Sequence, residues 1–471
     1  MKQTEPYDAI IVGAGISGLV TAWLLHQKGK KVLVLEKNAQ VGGTMKTVHE
    51  DGWLIETGPN SALETTPLFK TLFRDLDLGE ELVYANSLAQ NRYILRHGRL
   101  HALPLSPQKL ITSRLWSVPG KLRILREPFI GRGKGEETIA QFVRRRLGRE
   151  LLDYAINPFV AGVYAGDPAK LSVQAAFPKL YALEEKYGSL IKGQIRGAKD
   201  RKKRGEVSKD RAQLFSFQKG MQTLPSRISE RMPGAIHLDT HVKFITRTRE
   251  GYEVHVEKAG DLWSVNTPVL VLSVPAGSAA NLIAEFEPSL AKVLREIYYP
   301  PVAEVFLGFK AAAVKRTLDG FGFLVPEKES RCILGTIWSS TLFTNRAPKD
   351  HVSLTAFVGG SRQPNLAILE DSELVRMVTT ELEEILGVSS KPVFERVTKW
   401  KQAIPQYELG HLSKVARMED FEQRHPGLYL RGNYRGGIAV GDCVMQSART
   451  AEEIMNRDTP SRTHKSMEAV V

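Results

Sequence analysis

The amino-acid sequence predicts an α/β fold made of more than one domain. Its 471 residues exceed the 100–200 or so that one ordinary domain contains. Apolar residues make up 42% and charged residues 25%, as in globular proteins with a sizeable core. An apolar run, a glycine-rich turn, a helical stretch and a second apolar run follow one another before residue 36. That order is typical of a parallel β-α-β unit, so we expect one domain to contain a buried parallel sheet.

The N-terminal unit has the elements of a dinucleotide-binding motif in the right order. Residues 7–12 form a β-branched apolar run, residues 31–35 form a second one, and Glu36 ends it. Three glycines follow the first run: Gly13, Gly15 and Gly18. The first permits a tight turn, the second lets a pyrophosphate approach the backbone, and the third allows close packing of helix on strand. The helix N-terminus attracts the anion, and Glu36 can accept hydrogen bonds from ribose hydroxyls.

Two further glycine clusters favour FAD over NAD. Gly42 and Gly43 come soon after Glu36, and a glycine-rich stretch at 432–442 precedes a C-terminal apolar helix pattern at Val444, Ala448, Ala451 and Met455. A second glycine-rich helix start can direct its N–H groups toward a flavin. On its own it would be read as a tight turn before the last helix; paired with the N-terminal unit it indicates FAD.

The net charge of +13 is concentrated in two segments. Residues 100–135 carry seven basic residues and one acidic residue, and residues 192–211 carry nine basic and three acidic ones. Such clusters suit an anionic partner. The basic stretches carry no nucleic-acid-binding motif, so no nucleic-acid partner is expected. Residues 107–132 mix cations with apolar residues, including Leu115, Trp116 and Ile130. This mixture fits a helix that lies in an anionic membrane interface with Trp116 near the headgroups. It fits an ordinary amphipathic helix equally well.

Several classes of protein are excluded by what the sequence lacks. Two cysteines, Cys332 and Cys443, cannot form a disulfide framework or a four-ligand zinc site, so no metal is expected. The polar start and the absence of a long apolar run predict neither a secretory signal nor a transmembrane helix, and we expect an intracellular protein. Residues 197–213 are expected to form a mobile loop, and the tail 458–471 to be disordered.

The chain resembles the protoporphyrinogen oxidase family within the amine-oxidase-type FAD superfamily, and its pattern is most similar to the plant plastid type. The stretches that carry the resemblance are 13–18, 35–43, 56–61, 162–168, 299–303, 320–322, 334–337, 345–348, 357–360, 403–406 and 432–434. The resemblance implies a discontinuous Rossmann-like FAD domain (1–88, 236–284 and 396–457). It also implies a mixed-sheet α+β substrate domain (89–92, 189–235 and 285–395) and a mostly helical membrane-contacting domain (93–188).

The resemblance also implies functional residues. Those expected to hold FAD are Gly13, Gly15, Ile16, Ser17, Gly18, Glu36, Lys37, Gly42, Gly43, Gly58, Pro59, Asn60, Ser61, Val242, Trp400, Gly441, Cys443 and Val444. In the substrate slot, Arg92 would bind a propionate, Leu324, Ile337 and Phe357 would clamp the macrocycle, and Gly162 would let backbone approach a pyrrole N–H. No acid–base residue is expected, because hydride loss from a bridging methylene needs mainly positioning and exclusion of water. Cys443 is interpreted as a packed thiol rather than a flavin tether.

The expected activity is oxidation of protoporphyrinogen IX to protoporphyrin IX, with oxygen reoxidising the flavin. The expected location is peripheral, on the cytoplasmic face of a membrane, or on a plastid or mitochondrial membrane in a eukaryote, and a homodimer is one expected assembly. Alternatives are coproporphyrinogen III oxidation, against which Arg92 argues, and more distantly amine oxidation or carotenoid desaturation. A flavin-free binding protein of the GDP-dissociation-inhibitor type is a rival of another class, and the intact glycine motifs argue against it.

Overall fold

The computed structural model describes residues 6–104, 106–203 and 212–457. The strands are β1 (Ala9–Val12), β2 (Val32–Leu35), β3 (Thr47–Glu50), β4 (Trp53–Glu56), β5 (Ala62–Leu63), β6 (Leu82–Tyr84), β7 (Asn91–Arg96), β8 (Arg99–Ala102), β9 (Leu214–Phe217), β10 (Ile236–His237), β11 (His241–Arg247), β12 (Tyr252–Lys258), β13 (Asp261–Thr267), β14 (Leu270–Leu272), β15 (Val302–Lys310), β16 (Gly320–Leu324), β17 (Ile333–Ile337), β18 (His351–Gly359), β19 (Phe394–Trp400) and β20 (Leu428–Leu430).

The helices lie between these strands and after the last of them. They are α1 (Ile16–His26), α2 (Leu68–Asp75), α3 (Pro107–Thr112), α4 (Val118–Leu125), α5 (Ile139–Arg146), α6 (Arg149–Leu151), α7 (Asn157–Tyr164), α8 (Val173–Ala176), α9 (Pro178–Tyr187), α10 (Leu190–Lys203), α11 (Thr223–Glu230), α12 (Ala276–Ile283), α13 (Pro288–Arg295), α14 (Ser339–Leu342), α15 (Asp371–Leu386), α16 (His411–Arg424) and α17 (Val440–Arg457). Helices α3 to α10 follow one another between β8 and β9.

A five-stranded parallel sheet with the order β10-β2-β1-β14-β20 forms the first domain. Alternate residues of β1 enter two different cores: Ile11 packs with α1 and α17 on one face, and Ile10 packs with α12, α13 and the β11–β13 sheet on the other. Because helices and strands cover both faces, the strands are continuously apolar, which is the pattern that the sequence showed. All five strands lie within the three chain segments expected for the FAD domain.

The second sheet has seven strands in the order β19-β15-β18-β17-β16-β7-β8. Its strand pairs are antiparallel except β7 with β16. Helix α15 covers one face, where Val305 packs against Leu374 and Val378. The expected domain boundaries at 92/93 and 395/396 fall inside β7 and β19, since both strands hydrogen-bond into this sheet.

The α/β class with a parallel-sheet domain and a mixed-sheet domain is confirmed, and helices α5–α10 form a separate helical layer with its own core. The expectation of a loop over 197–213 is wrong for its first part, because α10 continues to Lys203 and β9 begins at Leu214. Residues 204–211 and the tail 458–471 lie outside the described residues.

Candidate active site

The turn after β1 is shaped for the close approach of a nucleotide. Gly13 has a φ of +102°, and a Cβ on Gly18 would lie 2.0 Å from Gly13 O, so both positions require glycine. A Cβ on Gly15 would meet nothing within 4 Å. Gly15 is also the N-cap of α1, whose first turn contains no acidic residue. The open space at this helix start therefore fits a pyrophosphate.

Glu36 lies at the end of β2, beside this turn. The side chain is 5% exposed, and its carboxylate accepts hydrogen bonds from Ala14 N at 2.8 Å and from Asn38 N at 2.9 Å. These bonds fix the carboxylate at the carboxyl end of β2, where a ribose would reach it. Thr240 N donates to Glu36 O at 2.9 Å, which brings Val242, half-buried on β11, into the same neighbourhood. Lys37 is exposed next to Glu36.

The second glycine pair packs directly on the first glycine turn. Gly42 N donates to Ala14 O at 2.8 Å, and a Cβ on Gly43 would lie 3.1 Å from Gly15 Cα. Gly58 is packed as closely, since its Cβ would lie 1.9 Å from Thr44 O. Gly58 begins a half-buried stretch with Pro59, Asn60 and Ser61. Trp400 joins this wall, because its Nε1 donates to Thr57 O at 2.7 Å.

The starts of α1 and α17 lie side by side. Ser447 Oγ donates a hydrogen bond to Ser17 O at 2.8 Å, and Cys443 and Val444 lie in the same core as Ile16. The glycine-rich stretch before α17 is held by Tyr407, whose hydroxyl donates to Asn433 O at 2.6 Å and accepts from Gly437 N at 3.0 Å. The glycine-rich turn before α1 and the glycine-rich stretch before α17 are thus brought close together.

Cys443 is 5% exposed, and burial raises the pKa of its thiol to about 11. A neutral, buried thiol is a poor nucleophile. Gly441, also buried, faces Thr65, because a Cβ there would lie 2.6 Å from Thr65 Oγ1.

The expected substrate residues share one face of the seven-stranded sheet. In one row, across β16, β17 and β18, Leu324 is opposite Gly335, and Gly335 is opposite Phe357. In the neighbouring row, across β7, β16 and β17, Gly322 has Arg92 on one side and Ile337 on the other. Residues directly opposite each other point to the same face. Leu324, Ile337 and Phe357 are half-buried, whereas most residues around them on these strands are buried. The sheet therefore presents an apolar wall with accessible side chains.

Arg92 lies at the rim of this wall. It is exposed, and its guanidinium is 5.6 Å from the centre of the Phe321 ring. Within the described residues, no carboxylate forms an ion pair with Arg92. Its two-pronged donor group is thus available to a ligand carboxylate.

Helix α7 lies against the wall at Leu324. A Cβ on Gly162 would lie 2.4 Å from Leu324 Cδ2, which is too close for two carbon atoms. The helix can therefore pack this near to the sheet only with glycine at position 162. Phe357 packs nearby with Ala161, Ala165 and Leu334. Helix α7 and this apolar face of the sheet pack directly on one another, and they border the place expected for the substrate slot.

Three residues near the slot were missed by sequence reasoning. Phe321 contacts Arg92, and Glu56 and Glu304 are buried acids. Burial raises the pKa of Glu56 to about 7, although Thr47, Arg346 and the Met221 N–H each lower it. Glu304 is a single acid within the apolar strand β15, and that interruption was the signal that could have revealed it.

The expectation that Trp116 sits near membrane headgroups is wrong. Trp116 is 7% exposed and Leu115 is fully buried, and both pack on Ile94 of β7. The two residues anchor the segment onto the sheet. Its exposed apolar residues are instead Ile111 (73%), Val118 (68%), Leu122 (57%), Leu125 (67%) and Phe129 (87%), which we call the 111–129 surface.

Comparison with known proteins agrees with this geometry. The family model for flavin containing amine oxidoreductases matches residues 16–455. The chain belongs to this family. It is 36% identical to the chloroplastic protoporphyrinogen oxidase of Nicotiana tabacum, over 95% of this chain and 85% of that protein. It is 27% identical to the coproporphyrinogen III oxidase of Bacillus subtilis, over 95% and 97% of the two chains.

A solved structure with a similar fold agrees with this family assignment. A protein from Exiguobacterium sp. 255-15, provisionally assigned as a protoporphyrinogen oxidase, superimposes with a TM-score of 0.79 and 25% identity over 97% of this chain and 100% of that one. The chain is accordingly an FAD-dependent oxidoreductase. The open space at Gly15, the acid-free start of α1 and the buried Glu36 carboxylate fit the phosphates and ribose of this cofactor.

Proposed function

We propose that the protein oxidises protoporphyrinogen IX to protoporphyrin IX, with FAD as the hydride acceptor and oxygen as the final acceptor. The observation that carries the proposal is the apolar face that Leu324, Ile337 and Phe357 share beside α7, with Arg92, which forms no ion pair among the described residues, at its rim. The tobacco relative is named for this activity.

FAD supplies the chemistry of accepting a hydride from a bridging methylene of the macrocycle. The protein's own residues bind and orient. Arg92 would hold a propionate, while Leu324, Ile337 and Phe357 would pack on the rings and exclude water. Gly13, Gly15, Gly18, Glu36 and Gly43 would hold the nucleotide, and Trp400, Gly58 and the start of α17 would enclose the rest of the cofactor.

Anaerobic stopped-flow mixing with each porphyrinogen tests the proposal. Bleaching of the flavin absorbance should be faster with protoporphyrinogen IX than with coproporphyrinogen III. The second substrate is the alternative, because the Bacillus subtilis relative is named for it. Faster bleaching with coproporphyrinogen would reverse the assignment. Purified protein that is colourless and gains no flavin absorbance after FAD addition would favour the binding-protein class.

The role of Arg92 is tested by Arg92→Ala. Loss of one charge-assisted hydrogen-bonded contact at an accessible site is worth about 1–2 kcal/mol, so the KM should rise about fivefold to thirtyfold with FAD content unchanged. Arg99→Ala is the matched control, since Arg99 is an exposed arginine on the neighbouring strand β8. Equal KM values for wild type and Arg92→Ala would exclude the propionate role.

We also propose that the 111–129 surface binds an anionic membrane. Five exposed apolar side chains lie among the cations Lys109, Arg114 and Arg126, which are themselves exposed. Across the described residues, no helix is both long and apolar enough to cross a bilayer, so contact would be peripheral. The chloroplastic and mitochondrial names of the tobacco relatives suit a plastid or mitochondrial membrane if the host is a eukaryote.

The membrane proposal is tested by co-sedimentation with anionic liposomes. The triple variant Ile111→Ser, Leu125→Ser, Phe129→Ser should bind less than wild type. The control variant Leu262→Ser, Ile368→Ser removes residues of similar exposure, 70% and 65%, from other surfaces and should bind as wild type does. Undiminished binding of the triple variant would refute the assignment. A homodimer is proposed on the resemblance alone, and light scattering of the purified protein would test it.

A further inference from the structure

Glu304 occupies an unusual position in the seven-stranded sheet. It is the one acid in β15, whose other residues are apolar up to Lys310. Its neighbours Ala303 and Val305 point into the core covered by α15. Since side chains alternate along a strand, Glu304 points to the opposite face, which is the face of the slot.

The strand register places Glu304 in the same row as the expected clamping residues. Glu304 is directly opposite Phe357, which is opposite Gly335, which is opposite Leu324. Directly opposite residues have Cβ atoms about 5 Å apart. Two residues along β15 on the same face, Val302 pairs with Trp400. Glu304 therefore lies between the substrate wall and the tryptophan that borders the cofactor cradle.

One oxygen of the Glu304 carboxyl group lacks a hydrogen-bond partner among the described residues. Its side chain is only 7% exposed, and Oε2 is buried without a partner in the part of the chain that the structure describes. Leaving such an atom unpaired is energetically costly. A buried polar atom without a partner, on the face expected to bind substrate, is available to a hydrogen-bonding group of a ligand.

The surroundings of Glu304 favour its uncharged form. Burial, and then the charge of Glu56, raise the pKa of Glu304 well above the ordinary value. The other charged groups near this face are engaged elsewhere: Arg346 lies 3.8 Å from Glu56, and Arg396 on β19 pairs with Glu50. The flanking residues on the adjacent strands, Phe357 and Thr398, carry no charge.

We propose that Glu304 is a positioning residue of the slot, and that its carboxyl group accepts a hydrogen bond from a pyrrole N–H of the bound macrocycle. The inference rests on the proposed function, because a porphyrinogen brings pyrrole N–H groups into an apolar slot where each needs an acceptor. The side chains of Leu324, Ile337 and Phe357 offer none, and Arg92 offers only donors, so the backbone at Gly162 is the other expected partner of a pyrrole N–H. Glu304 supplies an acceptor without placing an unsolvated charge beside the rings.

Two substitutions distinguish this role from a structural one. Glu304→Gln keeps a carbonyl acceptor of the same size and should bind protoporphyrinogen IX within about twofold of wild type. Glu304→Leu removes the acceptor and should weaken binding about fivefold to tenfold, the effect of one hydrogen bond between neutral groups. The same Leu variant should unfold at an equal or higher temperature, since it replaces an unpaired buried polar group. Glu395→Leu, an exposed glutamate on β19, is the matched control.

The measurements are the protoporphyrinogen IX Kd, by quenching of protein fluorescence in anaerobic enzyme reduced with dithionite, FAD content, the thermal midpoint, and the anaerobic rate of flavin bleaching. Wild-type affinity in Glu304→Leu would overturn the proposal, and so would a loss in Glu304→Gln as large as that in Glu304→Leu. If Glu304→Leu does not retain FAD, Glu304→Gln decides alone: near-wild-type affinity supports an acceptor role, and a tenfold loss overturns it. Wild-type protein that no porphyrinogen bleaches would count against the proposed function, while the macrocycle affinities would still report on Glu304.

Discussion

Gly162→Ala tests whether α7 and the seven-stranded sheet together set the width of the slot. The new Cβ would lie 2.4 Å from Leu324 Cδ2, where ordinary contact begins at 3.4 Å, so the two groups must separate by about 1 Å. Residue 162 is fixed within the backbone of α7, whereas the half-buried Leu324 side chain can rotate. Because Leu324 is on the slot face, its displacement narrows the space for a macrocycle.

The size of the effect follows from two opposing contributions. Overpacking costs about 1–3 kcal/mol, and the flexible end of Leu324 places this case near the lower value. Alanine in place of glycine stabilises a helix by about 0.5–1 kcal/mol. The free energy of unfolding should therefore fall by no more than about 2 kcal/mol. The affinity for protoporphyrin should fall about tenfold, which corresponds to 1.4 kcal/mol.

The assay combines urea unfolding with protoporphyrin binding in four variants: Gly162→Ala, Leu324→Ala, their combination, and a control. Gly277→Ala is the matched control, since Gly277 lies within α12 and a Cβ there meets nothing within 4 Å; it should be neutral or stabilising and should bind normally. The double variant Gly162→Ala, Leu324→Ala removes the clashing atom and should recover part of the lost affinity, giving a coupling energy of about 1 kcal/mol. Additive effects, or wild-type binding by Gly162→Ala, would refute the steric argument.

Three other predictions concern ionisable groups. Because burial raises the pKa of Glu56 from 4.5 to about 7, its contribution to stability is full below pH 4.5 and is lost as the pH rises through 7. At pH 8, Glu56→Gln should therefore relieve a cost of about 3 kcal/mol, seen as a higher thermal midpoint than that of the wild type. A lower midpoint would contradict this. Burial would raise the pKa of Glu184, but hydrogen bonds from Arg145 and Arg146 lower it to about 2. Its contribution to stability is therefore full above pH 4.5 and is lost as the pH falls toward 2. Glu184→Gln should flatten the acid side of the plot of stability against pH, and an unchanged plot would contradict the prediction. Acid precipitation should release all FAD into the supernatant, because the buried Cys443 thiol is not a nucleophile, and flavin retained in the pellet would show a covalent bond.

Local patterns predicted the cofactor half of the molecule well, because each signal there acts over a few residues. The β1-turn-α1-β2 unit follows from apolar runs and glycine spacing within 36 residues. The same reasoning could not predict that β7 and β19 belong to the large sheet. Strand β7 is joined to it by pairing across more than 200 residues, as between Arg92 and Gly322, and β19 by pairing across about 100 residues, as between Val302 and Trp400. No local period encodes such a partner.

The segment around Trp116 shows why composition could not identify the accessible face. Leu115 and Trp116 have the same apolar character as Leu125 and Phe129, yet the first pair is buried against Ile94 while the second pair is 67% and 87% exposed. The difference comes from Ile94, on β7, which gives Leu115 and Trp116 a surface to pack on. Glu304 illustrates the converse, since an acid in an apolar strand can be recognised in the sequence, but only the register with Phe357 shows which face of the sheet it shares. The chemical type of a residue can therefore be read directly from the sequence, whereas long-range strand pairing decides which site the residue belongs to.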